Sequence, residues 1–358
     1  MIKDRIKALR RYIRDEGLDG VIVTKDENVH YFSGFKGDST VLVVTSESNI
    51  LITDFRYIEQ ASKQAPDYTI VRQENGLLTR IGEVVLAERC FRVGFEGSSM
   101  TFNTHRTLAR KMTGVSFSHS LNLDELRMIK ENEEIDCIRR SVAISDKAFY
   151  DIVKFIRPGI SEIEVASRLE YIMRQSGSER PAFDTIVASG KRGSLPHGTA
   201  TEKLIISGEF VTMDYGAVYN GYHSDITRTV CVGRADEKQH KIYDTVLQAQ
   251  LIGIEAVKPG ASGKDIDKLV RDYLDKAGYA KYFGHGLGHS LGLEIHEEPR
   301  LSPKSSCDSL PVNTLITVEP GIYIPDWGGV RIEDTVLITD SGAEPLTSCP
   351  KNLMELDA

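Results

Sequence analysis

One constraint dominates this chain: part of it is written twice. Residues 157–177, RPGISEIEVASRLEYIMRQSG, align without a gap on residues 258–278, KPGASGKDIDKLVRDYLDKAG. Pro158 meets Pro259, Gly159 meets Gly260 and Gly177 meets Gly278, each pair 101 residues apart. Each copy reads as a Pro-Gly turn and an amphipathic helix closed by a glycine cap. The period is far too long for a solenoid, so the copies mark a duplicated half-domain. Strand-like segments follow and match too. EFVTMDYG (209–216) aligns with TLITVEPG (314–321), and SDITRT with IEDTVL. Asp214 thereby stands opposite Glu319, Asp225 opposite Glu333, and Thr227 opposite Thr335.

Each half delivers two acids from strand-like sequence, where acids are disfavoured. Val and Met around Asp214 imply burial, and a buried carboxylate must be paired, protonated or bound to metal. A salt bridge could absorb any one of them. Four in duplicated positions would repel one another, and divalent cations between them are the simplest remedy.

The stretch GHGLGHSLGLEIHE (284–297) concentrates three histidines among glycines. His285 and His289 have zincin spacing, but Gly-Leu-Gly between them is poor helix sequence and carries no acid. The glycines mimic a dinucleotide loop without its strand-before, helix-after context. Gly288 to Gly292 spell GxSxG, yet only His296 follows Ser290, leaving no room for the acid of a hydrolase triad in its required order. His197 lies in a Gly- and Ser-rich loop. The other histidines (His30, His105, His119, His223, His240) have no companion motif and read as structural or exposed.

The first third alternates strand-like runs (DGVIVT, STVLVVTS, SNILITD) with helical ones around YIEQASKQA and over 101–112. DFRY at 54–57 reads as a strand exit. From Leu123 the texture turns charged and amphipathic, with Ile135, Ile138, Val142, Phe149, Ile152 and Ile156 at three- and four-residue steps, placing a domain boundary near residue 125. Ile2, Ile6, Leu9 and Ile13 predict an N-terminal amphipathic helix in place of a signal peptide, and no run suits a membrane span. The formal charge of −8 argues against a nucleic-acid binder. Five scattered cysteines without a CxxC pair read as reduced, packing thiols in cytoplasm.

In order, PHG, MDYGA, SDITRT, GHGLGHSLGLEIHE, TVEPGIY and GGVRIEDT resemble the motifs of the pita-bread metallopeptidases, the fold of methionine aminopeptidase, aminopeptidase P, prolidase and creatinase. The resemblance implies an α/β (α+β) protein. An N-terminal creatinase-like α/β domain (1–125) precedes a pseudo-two-fold, duplicated pita-bread catalytic domain (126–358). It implies Asp214, Asp225, His289, Glu319 and Glu333 as metal ligands, and His197 and His296 as catalytic imidazoles around the scissile bond. His285 and Arg331 become substrate-binding residues at the rim. Creatinase lacks these ligands, and methionine aminopeptidases lack such an N-terminal domain. The proline-directed subclass remains: Xaa-Pro dipeptidase (prolidase) or Xaa-Pro aminopeptidase. EEPR after His296 resembles a prolidase feature in which Arg300 meets the free proline carboxylate.

Four carboxylates and one imidazole are mostly hard donors, suited to two Mn²⁺ ions, with Co²⁺, Fe²⁺ or Zn²⁺ as alternatives. Such ions lower the pKa of a shared water. Glu319 is then the expected proton shuttle to the leaving proline nitrogen, with His197 and His296 steadying the oxyanion. Proline's nitrogen bears no hydrogen and its φ is fixed, which justifies a dedicated enzyme. The expected partners are a proline-containing di- or oligopeptide and a second copy of the chain, since relatives form dimers. The competing readings are a pita-bread domain that binds peptide without cutting it, and a metal-dependent hydrolase of another amide.

Overall fold

The computed structural model describes residues 1–357 and divides into two units, Met1–Arg127 and a second beginning at Met128. The first unit opens with α1 (Ile2–Asp15), which buries Ile6, Leu9 and Ile13. Six strands follow: β1 (Gly20–Val23), β2 (Val41–Thr45), β3 (Asn49–Thr53), β4 (Thr69–Arg72), β5 (Arg92–Glu96) and β6 (Ser116–Leu121). They form one mixed sheet in the order β4-β3-β2-β1-β5-β6. β1 and β2 are buried along their whole length, as their unbroken apolar sequence requires of central strands. Helices α2 (Asp26–Ser33), α3 (Ile58–Gln64), α4 (Leu77–Ala87) and α5 (Phe102–Lys111) complete the unit, and Thr101 caps the last. After β3 the chain turns at DFRY, where Asp54 takes the Arg56 guanidinium at 2.6 Å.

The second unit repeats a plan. Its first half contains α6 (Asn132–Ile152), α7 (Glu162–Gln175), β7 (Ile186–Ser189), β8 (Phe210–Tyr215), the small hairpin β9 (Val218–Tyr219) and β10 (Tyr222–His223), and β11 (Ile226–Val232). Its second half contains α8 (Glu237–Ala256), α9 (Gly263–Lys276), β12 (Gly288–Ser290), β13 (Glu297–Leu301), β14 (Leu315–Val318), β15 (Gly321–Ile324), β16 (Gly328–Arg331), β17 (Asp334–Thr339) and β18 (Gly342–Pro345). A short β19 (Glu355–Leu356) returns to pair with β11. α6 stops at Ile152, earlier than the spacing suggests, and Ile156 reaches the same core from the following turn.

The duplicated helices α7 and α9 keep the sequence offset at both ends. Ser161 caps α7 by accepting from the Glu164 amide, and Ser262 caps α9 by accepting from the Asp265 amide. Two residues past each end, Gly177 (φ +104°) and Gly278 (φ +85°) take the left-handed conformation that closes a helix. Each half builds its own core, one around Phe149, Leu169, Val187 and Met213, the other around Ile242, Val270, Ile316 and Val336.

The strand pairs show where the copies diverge. β8 and β11 run antiparallel with Asp214 beside Thr227; β14 and β17 run antiparallel with Thr317 beside Thr335. Glu319, the partner of Asp214 in the alignment, therefore lies two residues out of register. An even shift keeps side chains on the same face, so both acids still point one way. The halves meet along β11 and β17. There the Glu333 amide donates to the Thr227 carbonyl at 3.1 Å and Thr335 Oγ1 to the Asp225 carbonyl at 3.0 Å. Arg228 spans the same seam, 2.8 Å from Asp334 Oδ1.

Candidate metal centre

A cavity of about 650 Å³ opens in the second unit, and all ten residues singled out in the sequence line it: His197, Asp214, Asp225, His285, His289, His296, Arg300, Glu319, Arg331 and Glu333. Asp214 comes from β8 and Asp225 from the residue before β11. His289 lies in β12, Glu319 just beyond β14, and Glu333 between β16 and β17. His289 sits on a strand, not a helix, which removes the zincin geometry. Ser290 is fully buried in that strand, so GHSLG is not an exposed nucleophile turn. Gly288 is required by packing: a β-carbon there would lie 1.8 Å from the Thr317 carbonyl oxygen. Its absence lets β12 run against β14 and carry His289 into the acids.

Asp225, His289 and Glu333 each offer a ligand atom within 4.8 Å of the others. His289 Nε2 lies 3.6 Å from Asp225 Oδ2 and 3.5 Å from Glu319 Oε1. Its Nδ1 faces the Ser290 carbonyl at 3.0 Å, which places the ring proton on Nδ1 and leaves the Nε2 lone pair toward the carboxylates. Burial, reinforced by neighbouring His296, pushes this imidazole down to about 3, so it is a neutral donor. Burial raises the Asp225 and Glu333 carboxyls well above the ordinary range, with the neighbouring acids adding to it. Burial also lifts Glu319 to about 8 against the pull of Arg331.

The donor set fits divalent cations. Asp214 Oδ1 and Glu333 Oε1 are buried without a hydrogen-bond partner. Buried carboxylate oxygens left unpaired are costly unless a cation meets them. Arg331 supplies one positive charge against four acids.

Arg331 requires a correction. It lies in the wall, not at the rim: it is 3% exposed. Nη2 reaches Asp214 Oδ2 at 2.6 Å, Nη1 the Tyr323 hydroxyl at 2.8 Å and the Pro196 carbonyl at 3.3 Å, and Nε Thr227 Oγ1 at 3.0 Å. The end of β16 points inward, and a buried guanidinium takes every acceptor within reach. His285 is half-buried, with Nε2 2.9 Å from the Tyr323 hydroxyl and Nδ1 2.7 Å from the Gly286 carbonyl. Burial, with Arg331 nearby, lowers it to about 4. His296 packs edge-on against His289, ring centroids 4.4 Å apart, and with His197 and Arg300 faces open cavity. Arg300 Nε contacts Glu298 at 3.1 Å.

Sequence reasoning gave no role in the site to three supporting groups. Tyr323 joins His285 to Arg331; it stands in the motif TVEPGIY, whose tyrosine was a usable signal. Thr227 Oγ1 donates to Glu333 Oε2 at 2.7 Å. His223 is buried under the turn carrying His296, where its amide donates to the Gly292 carbonyl at 2.8 Å. The duplication sets Thr227 opposite Thr335 without assigning it a role, and no local pattern marks His223.

Comparison with known proteins agrees with this architecture. Residues 136–340 match metallopeptidase family M24, and residues 5–129 match the creatinase/prolidase N-terminal domain. An uncharacterized peptidase of Bacillus subtilis is 44% identical, covering 98% of this chain and all of its own. An Xaa-Pro dipeptidase of Pyrococcus furiosus is 40% identical, covering 99% of this chain and all of its own. The solved structure of an Xaa-Pro dipeptidase from Bacillus anthracis superposes with a TM-score of 0.96 at 43% identity, over 99% of this chain and all of that one.

Proposed function

The chain belongs to metallopeptidase family M24, and from that premise we propose that it is a metal-dependent exopeptidase cutting the bond between an N-terminal residue and proline, with Xaa-Pro dipeptides as its preferred substrates. One observation carries the reading: two buried carboxylates (Asp225, Glu333), two partly buried ones (Asp214, Glu319) and one neutral imidazole converge on a single cavity wall, with two carboxylate oxygens unpaired. A peptide-binding module that does not cut would have no use for so costly a cluster.

Asp214, Asp225, His289, Glu319 and Glu333 are the proposed ligands of two divalent ions, manganese first by donor hardness. When bound, such ions make water acidic enough to attack at neutral pH and polarise the scissile carbonyl. Glu319 carries the proton from the attacking water to the proline nitrogen, which must leave protonated. His197 and His296, on the open side, donate to the carbonyl oxygen as it gains charge. Arg300 meets the substrate carboxylate. Arg331 and His285 act one step back, holding Asp214 and Tyr323 in place.

The preference for dipeptides rests on Arg300 and on the similarity to Xaa-Pro dipeptidases. A length series with manganese tests it. Xaa-Pro should turn over faster than Xaa-Pro-Yaa-Zaa; the reverse order makes the enzyme an aminopeptidase, and no turnover of either removes the activity. The five free cysteines suit the reducing cytoplasm. A homodimer is the assembly the family resemblance implies, and sedimentation tests it.

A further inference from the structure

A buried ion pair lies behind the histidine-bearing turn, and the chemistry above makes no use of it. Lys130 Nζ sits 2.8 Å from Glu297 Oε2, with side chains 1% and 5% exposed, and also donates to the Met128 carbonyl at 3.1 Å. The Lys130 amide is fixed by the Asn313 carbonyl at 2.8 Å. Glu297 directly follows His296, and its Oε1 accepts the Glu294 amide at 3.1 Å. A β-carbon on Gly292 would stand 2.8 Å from both carboxylate oxygens, so glycine there makes room for the charge. The other end of the turn is held by His223, whose Nδ1 lies 3.1 Å from the Gly292 carbonyl. Arg180 Nη2 approaches His223 Nε2 at 3.3 Å, which leaves the ring proton on Nδ1 for that carbonyl.

The backbone ladder is interrupted where this turn begins. β12 and β13 pair as His289 with Arg300 but Ser290 with Glu297, a two-residue break in register beside the metal-facing histidine. Stability does not explain the pair either, because replacing a buried ion pair by apolar groups is often neutral or stabilising. Fixing a register is its best-attested use.

We propose that Lys130 is a positioning residue that, through Glu297, sets where the His296 ring stands against His289. The proposal rests on the role given to His296 above. Its test compares Lys130→Met, Glu297→Gln and the double variant as full-length, zinc-loaded chains with isotope-labelled histidine. The readout is the His296 ring signal, identified by its loss in His296→Gln. The double variant should unfold cooperatively and above either single variant, since no lone buried charge remains. Its His296 signal should nonetheless be displaced or broadened while that of exposed His240 is not. On Xaa-Pro substrate, assayed on the manganese-loaded chains, kcat should fall on the order of 10²-fold with KM little changed, as for a misplaced catalytic group. An unmoved His296 signal in the double variant overturns the proposal whatever the activity. Absent turnover by the wild-type chain counts against the proposed function alone, and the His296 signal still decides this one.

Discussion

At the scale of single residues, the site is an arrangement of groups that are unfavourable together until cations join them. Asp225 is 6% exposed and has three other acids around it, so its charge depends on cations. Asp225→Asn should lower metal affinity by at least the ~100-fold that even an outer-shell loss can cost, and activity with it. Unfolding should stay cooperative, and calorimetric metal titration beside a melt checks both. Glu319 makes the pH dependence explicit. Its folded value of about 8 lies above the ~4.3 of an unfolded glutamate. The metal-free folded state thus keeps a proton that the unfolded chain releases. The resulting stability is full below the unfolded value and is lost as pH rises through the folded one. Chelator-treated protein should therefore melt at progressively lower temperature between about pH 5 and pH 8, and manganese-loaded protein should not. Parallel profiles would contradict this. The acids were legible in the sequence because a carboxylate flanked by apolar strand residues is an anomaly, and here it recurs. Arg331 was misplaced because nothing in GGVRIEDT says whether its guanidinium faces water or Asp214.

At the scale of elements, the signals that succeeded are local and those that failed are long-range. α7 and α9 could be read end to end because serine caps and left-handed glycines act within a turn. The two-residue difference between the β8–β11 and β14–β17 registers could not, since pairing depends on segments far apart in the chain. Nor could the Lys130–Glu297 pair, whose partners stand 167 residues apart. The glycines of GHGLGH divide in the same way. Gly288 faces the Thr317 carbonyl, whereas nothing lies within 4 Å of a β-carbon on Gly284. Gly288→Ala should therefore destabilise by at least the ~1–3 kcal/mol typical of overpacking, and loosen metal binding as β12 leaves β14. Gly284→Ala should stay within about 0.5 kcal/mol of wild type. Denaturant melts of the two variants check the contrast, and equal losses would contradict it.

At the scale of the whole molecule, duplication explains why a metal centre exists here at all. Two copies of a helix-and-strand unit, each with its own core, meet along β11 and β17, and every proposed ligand lies near that seam or on β12, which runs against β14. One half brings Asp214 and Asp225, the other His289, Glu319 and Glu333. Neither set could hold two cations by itself. Among the described residues, no helix is long and apolar enough to cross a membrane, and the ten site residues all belong to the second unit. The most direct measurement is anomalous diffraction from manganese-soaked crystals of the full chain. Two peaks in contact with Asp214, Asp225, His289, Glu319 and Glu333 are predicted. Turnover-supporting manganese that leaves those five side chains without an ion, or binds elsewhere, would contradict the account.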